Sequence, residues 1–116
     1  MLGWGIVIEK QNSEKRLANW DASLGGIDWL HKFVEEKRAI CQQEGFYPGI
    51  YTAQAKDILP LLQGIPPFVI EGINWKEDKE KGWVDCGKHY FMNISKDEVS
   101  TCDPDEWLCI TVWDLS

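Results

Sequence analysis

Histidine is scarce: His31 and His89 are the only two in the chain, so any acid–base chemistry must draw on one of them or on carboxylates. No Gly-x-Ser-x-Gly elbow, His-Glu-x-x-His pair, phosphate loop or dinucleotide glycine pattern occurs, which removes the common hydrolase, metalloprotease and nucleotide-binding templates. No apolar run approaches the length of a membrane-spanning helix. The first ten residues lack a basic segment, and their apolar part is too short for a signal peptide, so the expected location is the cytoplasm, with thiols reduced. In that compartment the sequon Asn93-Ile94-Ser95 carries no glycan. The basic residues are scattered and form no patch interleaved with aromatics, which argues against nucleic acid as a ligand. Repeats, linkers and low-complexity tracts are also missing, and 116 residues make one domain, spanning 1–116.

What is abundant is acid and tryptophan. The net charge is −7, unevenly placed: residues 1–82 carry 12 acids and 10 bases, whereas residues 83–116 carry 7 acids against Lys88 and Lys96. A field of that sign repels phosphates and anionic lipid and attracts cationic protein surfaces. The seven tryptophans, Trp4, Trp20, Trp29, Trp75, Trp83, Trp107 and Trp113, exceed what a core this small needs. Trp is enriched at binding hot spots because it buries a large rigid surface at small entropic cost.

The longest apolar run is Trp107-Leu108-Cys109-Ile110-Thr111-Val112-Trp113-Asp114-Leu115. Side chains alternate across a strand, and here both sets are apolar until Asp114, so the pattern predicts a strand inside a sheet and covered on both faces. An acidic turn, Cys102-Asp103-Pro104-Asp105-Glu106, precedes it. Residues 3–9 read as a first strand and 11–17 as a polar turn; Asn19, Asp21 and Ser23 lead into a break at Leu24-Gly25-Gly26. Residues 27–44 read as the clearest helix, with Ile27, Trp29, Leu30, Phe33, Val34, Ile40 and Cys41 on one stripe and Gly45 as the stop. Lys37 falls in the middle of that stripe and does not fit it. Thr52 suits the N-cap of a second, short helix over 53–63 that Pro60 should kink or split and Gly64 should close. Strands follow at 68–75 and 83–94, the second interrupted at Asp85-Cys86-Gly87-Lys88 by a bulge or tight turn; a charged hairpin loop at 76–82 joins them, and a loop over 95–106 follows. The sum is an α+β fold: a small antiparallel or mixed sheet of about four strands with two helices packed on one face.

Two sites compete for a function. Cys86-x-x-His89 has the spacing of a metal-ligand pair that Cys102 and Cys109 could complete as a zinc site, or a small enzyme could use Cys86 and His89. Buried cysteine more commonly fills core as a small hydrophobe, and no third group orients His89, so neither metal, cofactor nor catalysis is the expectation. The other site is the acid-rich surface: Asp97, Glu98, Asp103, Asp105 and Glu106 beside Trp107, with Glu77, Asp78 and Glu80 between Trp75 and Trp83. In size, charge and lack of catalytic residues the chain resembles the immunity proteins of bacterial polymorphic toxin and contact-dependent inhibition systems. That resemblance implies a cognate toxin, a nuclease for example, as partner: carboxylates occupy its phosphate positions while an aromatic anchor seals the contact. A phage-type inhibitor or nucleic-acid mimic of a host protein would present the same face.

Overall fold

The computed structural model describes residues 3–11, 13, 15–22, 26–43, 48–63, 75–78, 82–85 and 92–114; of residues 75, 77, 78, 82–85 and 92 it describes the backbone alone. Strands β1 (Trp4–Lys10) and β2 (Arg16–Ala22) lead to helix α1 (Asp28–Glu35), then β3 (Ala39–Gln43) and β4 (Gly49–Gln54). Helix α2 (Ala55–Ile58) continues into a 3-10 turn, Leu59–Leu62. After these come β5 (Trp75–Asp78), β6 (Gly82–Asp85), β7 (Met92–Ile94), helix α3 (Lys96–Thr101) and β8 (Trp107–Asp114).

The α+β class holds, but the layout is sheet-rich: six strands in the order β3-β4-β8-β1-β2-β7, each pair antiparallel, with β5 and β6 as a separate hairpin. Among the described residues, six sheet strands, a hairpin and three helices stand where four strands and two helices were expected. The final strand is interior, as its apolar run requires, lying between β1 and β4. Its even residues Leu108, Ile110 and Val112 are buried. The register aligns them with Ile6 and Ile8 of β1 and with Tyr51 and Ala53 of β4, and Ile6 in turn with Trp20 of β2. Onto this face pack Trp29, Leu30 and Phe33 of α1 and Ile58 of α2, in one continuous core. Trp29 sits between Trp20 (ring centroids 6.4 Å apart) and Phe33 (5.5 Å, edge-on), and its Nε1 donates to the Gly26 carbonyl at 2.8 Å. The odd face is different: Trp107 and Trp113 are 40% and 36% exposed, so β8 is not covered on both sides as its sequence suggests.

The predicted long helix is two elements. It stops at Glu35, and Ile40 and Cys41 belong to β3. The cause is a Schellman turn: Lys37 N–H donates to Val34 O (3.1 Å) and Arg38 N–H to Phe33 O (2.8 Å), with Lys37 in the left-handed region at φ 61°. The accompanying contact is the Arg38 guanidinium lying 4.0 Å from the Phe33 ring centroid. Lys37 is exposed, at the turn rather than in the stripe. Residues 16–22, read as turn and helix approach, form β2. Thr52 caps nothing: it lies in β4, buried, and its Oγ1 accepts from Gln42 Nε2 at 3.1 Å. The second helix is shorter than predicted and breaks at Pro60 into the 3-10 turn, because proline lacks the donor that would continue α2. The predicted 95–106 loop contains α3, and Lys76, Glu77 and Asp78 belong to β5 rather than to a loop; the strand expected over 83–94 with an interruption from Asp85 is two strands, β6 ending at Asp85 and β7 beginning at Met92. Gly45, Gly64 and most of the 68–75 strand lie outside the described residues.

A non-glycine residue at positive φ costs about 1–2 kcal/mol, so Lys37→Gly should raise unfolding stability by about 0.5–1 kcal/mol after its own unfolded-state entropy is counted. Ile110→Ala should lower it by about 2–5 kcal/mol. Urea denaturation of the two variants checks both signs.

Candidate partner-binding surface

The acid-rich segment is built as a tight turn held by backbone. Glu106 N–H donates to Asp103 O (3.0 Å), closing a turn with Pro104 at its second position, and Asp105 N–H donates to Asp103 Oδ1 (2.9 Å). The turn's carbonyls in exchange cap α2: Ala55 N–H donates to Glu106 O (2.8 Å) and Lys56 N–H to Pro104 O (2.9 Å), satisfying donors a helix start leaves free. Asp103 and Asp105 point to solvent from a fixed frame, and Asp97 at the start of α3 is exposed beside them in sequence.

Glu98 and Glu106 behave otherwise. Both converge on Lys10 Nζ, at 3.6 and 3.9 Å, and all three side chains are largely withdrawn from solvent. Glu106 also accepts from Cys102 Sγ at 3.5 Å. Of the five tail carboxylates, two are therefore part of an internal ion cluster and three remain outward. Lys10, the residue that bridges the pair, is not a site residue on sequence grounds. A lysine ending an apolar strand carries no such signal.

Trp107 lies on the other side of the sheet from this cluster. Lys10 is in register with Leu108 on the core face, and alternation turns Trp107 the opposite way. The same register puts Trp113 and Ile40 on that second face. Ile40 is 50% exposed, so the exposed large apolar side chains Ile40, Trp107 and Trp113 all share one face of the sheet. The second predicted group is apart from the first: β5 and β6 form a hairpin in which Trp75 is in register with Asp85 and Glu77 with Trp83. Asp78 pairs with Gly82; β6 runs beside β7 at the edge of the sheet. Glu80 lies outside the described residues.

The alternative metal or nucleophile site finds little support in the thiols. Cys102 belongs to the core on the helix-bearing face, whereas Cys109, in register with Thr52 and Glu9, projects from the second face. Burial, then the Glu106 hydrogen bond, pushes the Cys102 thiol up, favouring the protonated form that binds metal poorly. Among the described residues no three His, Cys, Asp or Glu side chains gather as a metal site; Cys86 and His89 lie outside them. His31 is exposed on α1, near Tyr51 (ring centroids 6.5 Å). No helix among the described residues is long and apolar enough to cross a membrane.

No protein-family model, no curated protein and no solved structure matches the chain.

On the second face Asp21 is half-buried, and burial raises its carboxyl above the ordinary 3.8. An acid whose pKa is raised by folding subtracts stability once ionised and subtracts none below its unfolded pKa, where both states are protonated. Asp21→Asn should therefore raise the melting temperature at neutral pH, and the advantage should vanish as pH falls below 3.8. Melting curves across that range measure it.

Proposed function

We propose that this chain is a non-enzymatic binding protein that neutralises a basic protein partner, in the manner of an immunity protein against a nuclease toxin. The observation that carries the reading is Trp107, 40% exposed, at the end of a rigid turn that presents Asp103 and Asp105 outward. An aromatic anchor flanked by carboxylates supplies the two components of a tight interface with a cationic cleft. Desolvated aromatic surface gives affinity, and charge of the opposite sign gives rate and partner choice. Ile40 and Trp113 extend the apolar part of that surface along the same face. Glu98 and Glu106 are excluded from the direct contact, because breaking their attachment to Lys10 would cost what a new pair returned.

The gene beside this one is the place to look for the partner. Its product, if it is a basic nuclease domain, should co-purify with this chain and lose activity in the complex. The triple variant Asp97→Lys, Asp103→Asn, Asp105→Lys should slow association about tenfold and flatten its salt dependence, while Asn at 103 keeps the acceptor that closes the turn. Trp107→Ala should instead speed dissociation, costing about 2 kcal/mol or more. Circular dichroism checks that both variants remain folded. Unchanged association in the triple variant, or turnover of any substrate by the chain alone, would sink the reading.

A further inference from the structure

A second polar site lies on strands β2 and β7, away from the acidic turn. The register places Asn19 opposite Asn93 on the second face of the sheet, and Ser95, two residues on, continues that side. Arg16 joins them because of a bulge: β1 pairs Ile8 with Ala18 but Glu9 with Arg16, leaving Leu17 as the extra residue. Unbroken alternation from Ala18 would turn Arg16 toward the core and Leu17 away from it. With the bulge, Leu17 is fully buried in the core and Arg16 is freed to the other side. Bulges recur where a strand must re-aim a side chain.

These residues line a cleft of 220 Å³, with Leu17 and Ala18 forming the rest of its wall. Its polar groups are unspent. Asn19 is 7% exposed, yet its carboxamide has no hydrogen-bond partner among the described residues, and neither does that of Asn93. Ser95 occupies the N-cap position of α3 without making the side-chain capping bond. Arg16 forms no ion pair among the described residues, although Glu9 faces it across the ladder. Among the described residues the buried side-chain polar atom without a partner is Trp20 Nε1; the carboxamide of Asn19 meets the solvent of the cleft, which a ligand group can displace. Among the described residues no carboxylate lines the cleft, so what those walls offer is one permanent positive charge, two amides and a hydroxyl.

We propose that this cleft binds an oxyanion, the carboxylate or phosphate group of a small molecule or of a partner's side chain. Arg16 supplies the charge and a planar fork of donors that matches such a group; Asn19, Asn93 and Ser95 complete its hydrogen bonds. The volume falls below the roughly 300 Å³ at which drug-sized pockets begin, so the cleft takes an anionic group and little of what carries it. The site is independent of the acidic turn: a neutral ligand would leave the guanidinium unused, and a cation would meet it unfavourably.

The test is titration of the full chain with sodium phosphate and, separately, sodium succinate, at ionic strength held constant with sodium chloride. Nitrogen–proton NMR follows the side-chain amides of Asn19 and Asn93 and the Nε of Arg16. The expected result is saturable shifts at these three groups with a dissociation constant of about 1 mM or below, weakened about tenfold or more by Arg16→Gln. Tighter binding of phosphate would assign the site to phosphoryl groups, and tighter binding of succinate to carboxylates; either outcome supports the proposal. It is overturned if neither anion gives saturable shifts by about 50 mM, or if Arg16→Gln binds as tightly as the unaltered chain.

Discussion

Alternation along β8, fixed by pairing on both of its edges, is the constraint from which the other features follow. A strand with one free edge can slip, but β8 is held by β1 and β4. A slip of one residue would bring Leu108, Ile110 and Val112 out of the core and carry Trp107, Thr111 and Trp113 into it. Register thus decides at once what is core and what is surface. It sorts the strand into a dry side that meets α1 and α2, and a side that keeps two tryptophans partly in water. The same sorting separates Trp107 from the Lys10 cluster, although Glu106 is its neighbour in the chain.

Charge follows the same logic. The tail looked like one negative surface in sequence, yet a single lysine reaching the strand end from β1 draws Glu98 and Glu106 together. Two carboxylates sharing one ammonium tie α3 and the turn before β8 to β1, and that is a structural use of acid. Asp103 is intermediate: one oxygen closes the turn, and the remaining acceptor capacity faces outward. Counting carboxylates overstates the field available to a partner, because the attraction that would recruit one is partly consumed inside the protein.

What the sequence made legible was what depends on local pattern. The interior place of β8, strand β1, the first turns of α1 and the break at Pro60 were all readable from apolar spacing and proline. What failed were the places where one local pattern imitates another. Helical spacing of Ile40 and Cys41 after Phe33 and Val34 is coincidental, since β3 begins at Ala39. The misfit of Lys37 was the only sign of the boundary, and with no glycine at the left-handed position the usual stop signal was missing. Strand β2 was hidden differently. Ala18, Trp20 and Ala22 alternate with Asn19 and Asp21, a strand's period, but asparagine and aspartate read as turn formers when taken one at a time. Losing β2 also hid Arg16 and Asn19 as members of a site, because their neighbour Asn93 arrives only through pairing with β7.

That long-range dependence separates the two surfaces in kind. The acidic turn is local: five consecutive residues, one of them a proline, specify it, so it was legible from sequence. The β2–β7 cleft exists only because a bulge in one strand and an edge strand far along the chain coincide. Asn19 is withdrawn from solvent except where it lines that cleft, and its carboxamide bonds to nothing among the described residues. Beside a second asparagine and an arginine with no ion pair among the described residues, it leaves polar groups facing one cleft and ready for something that arrives from outside.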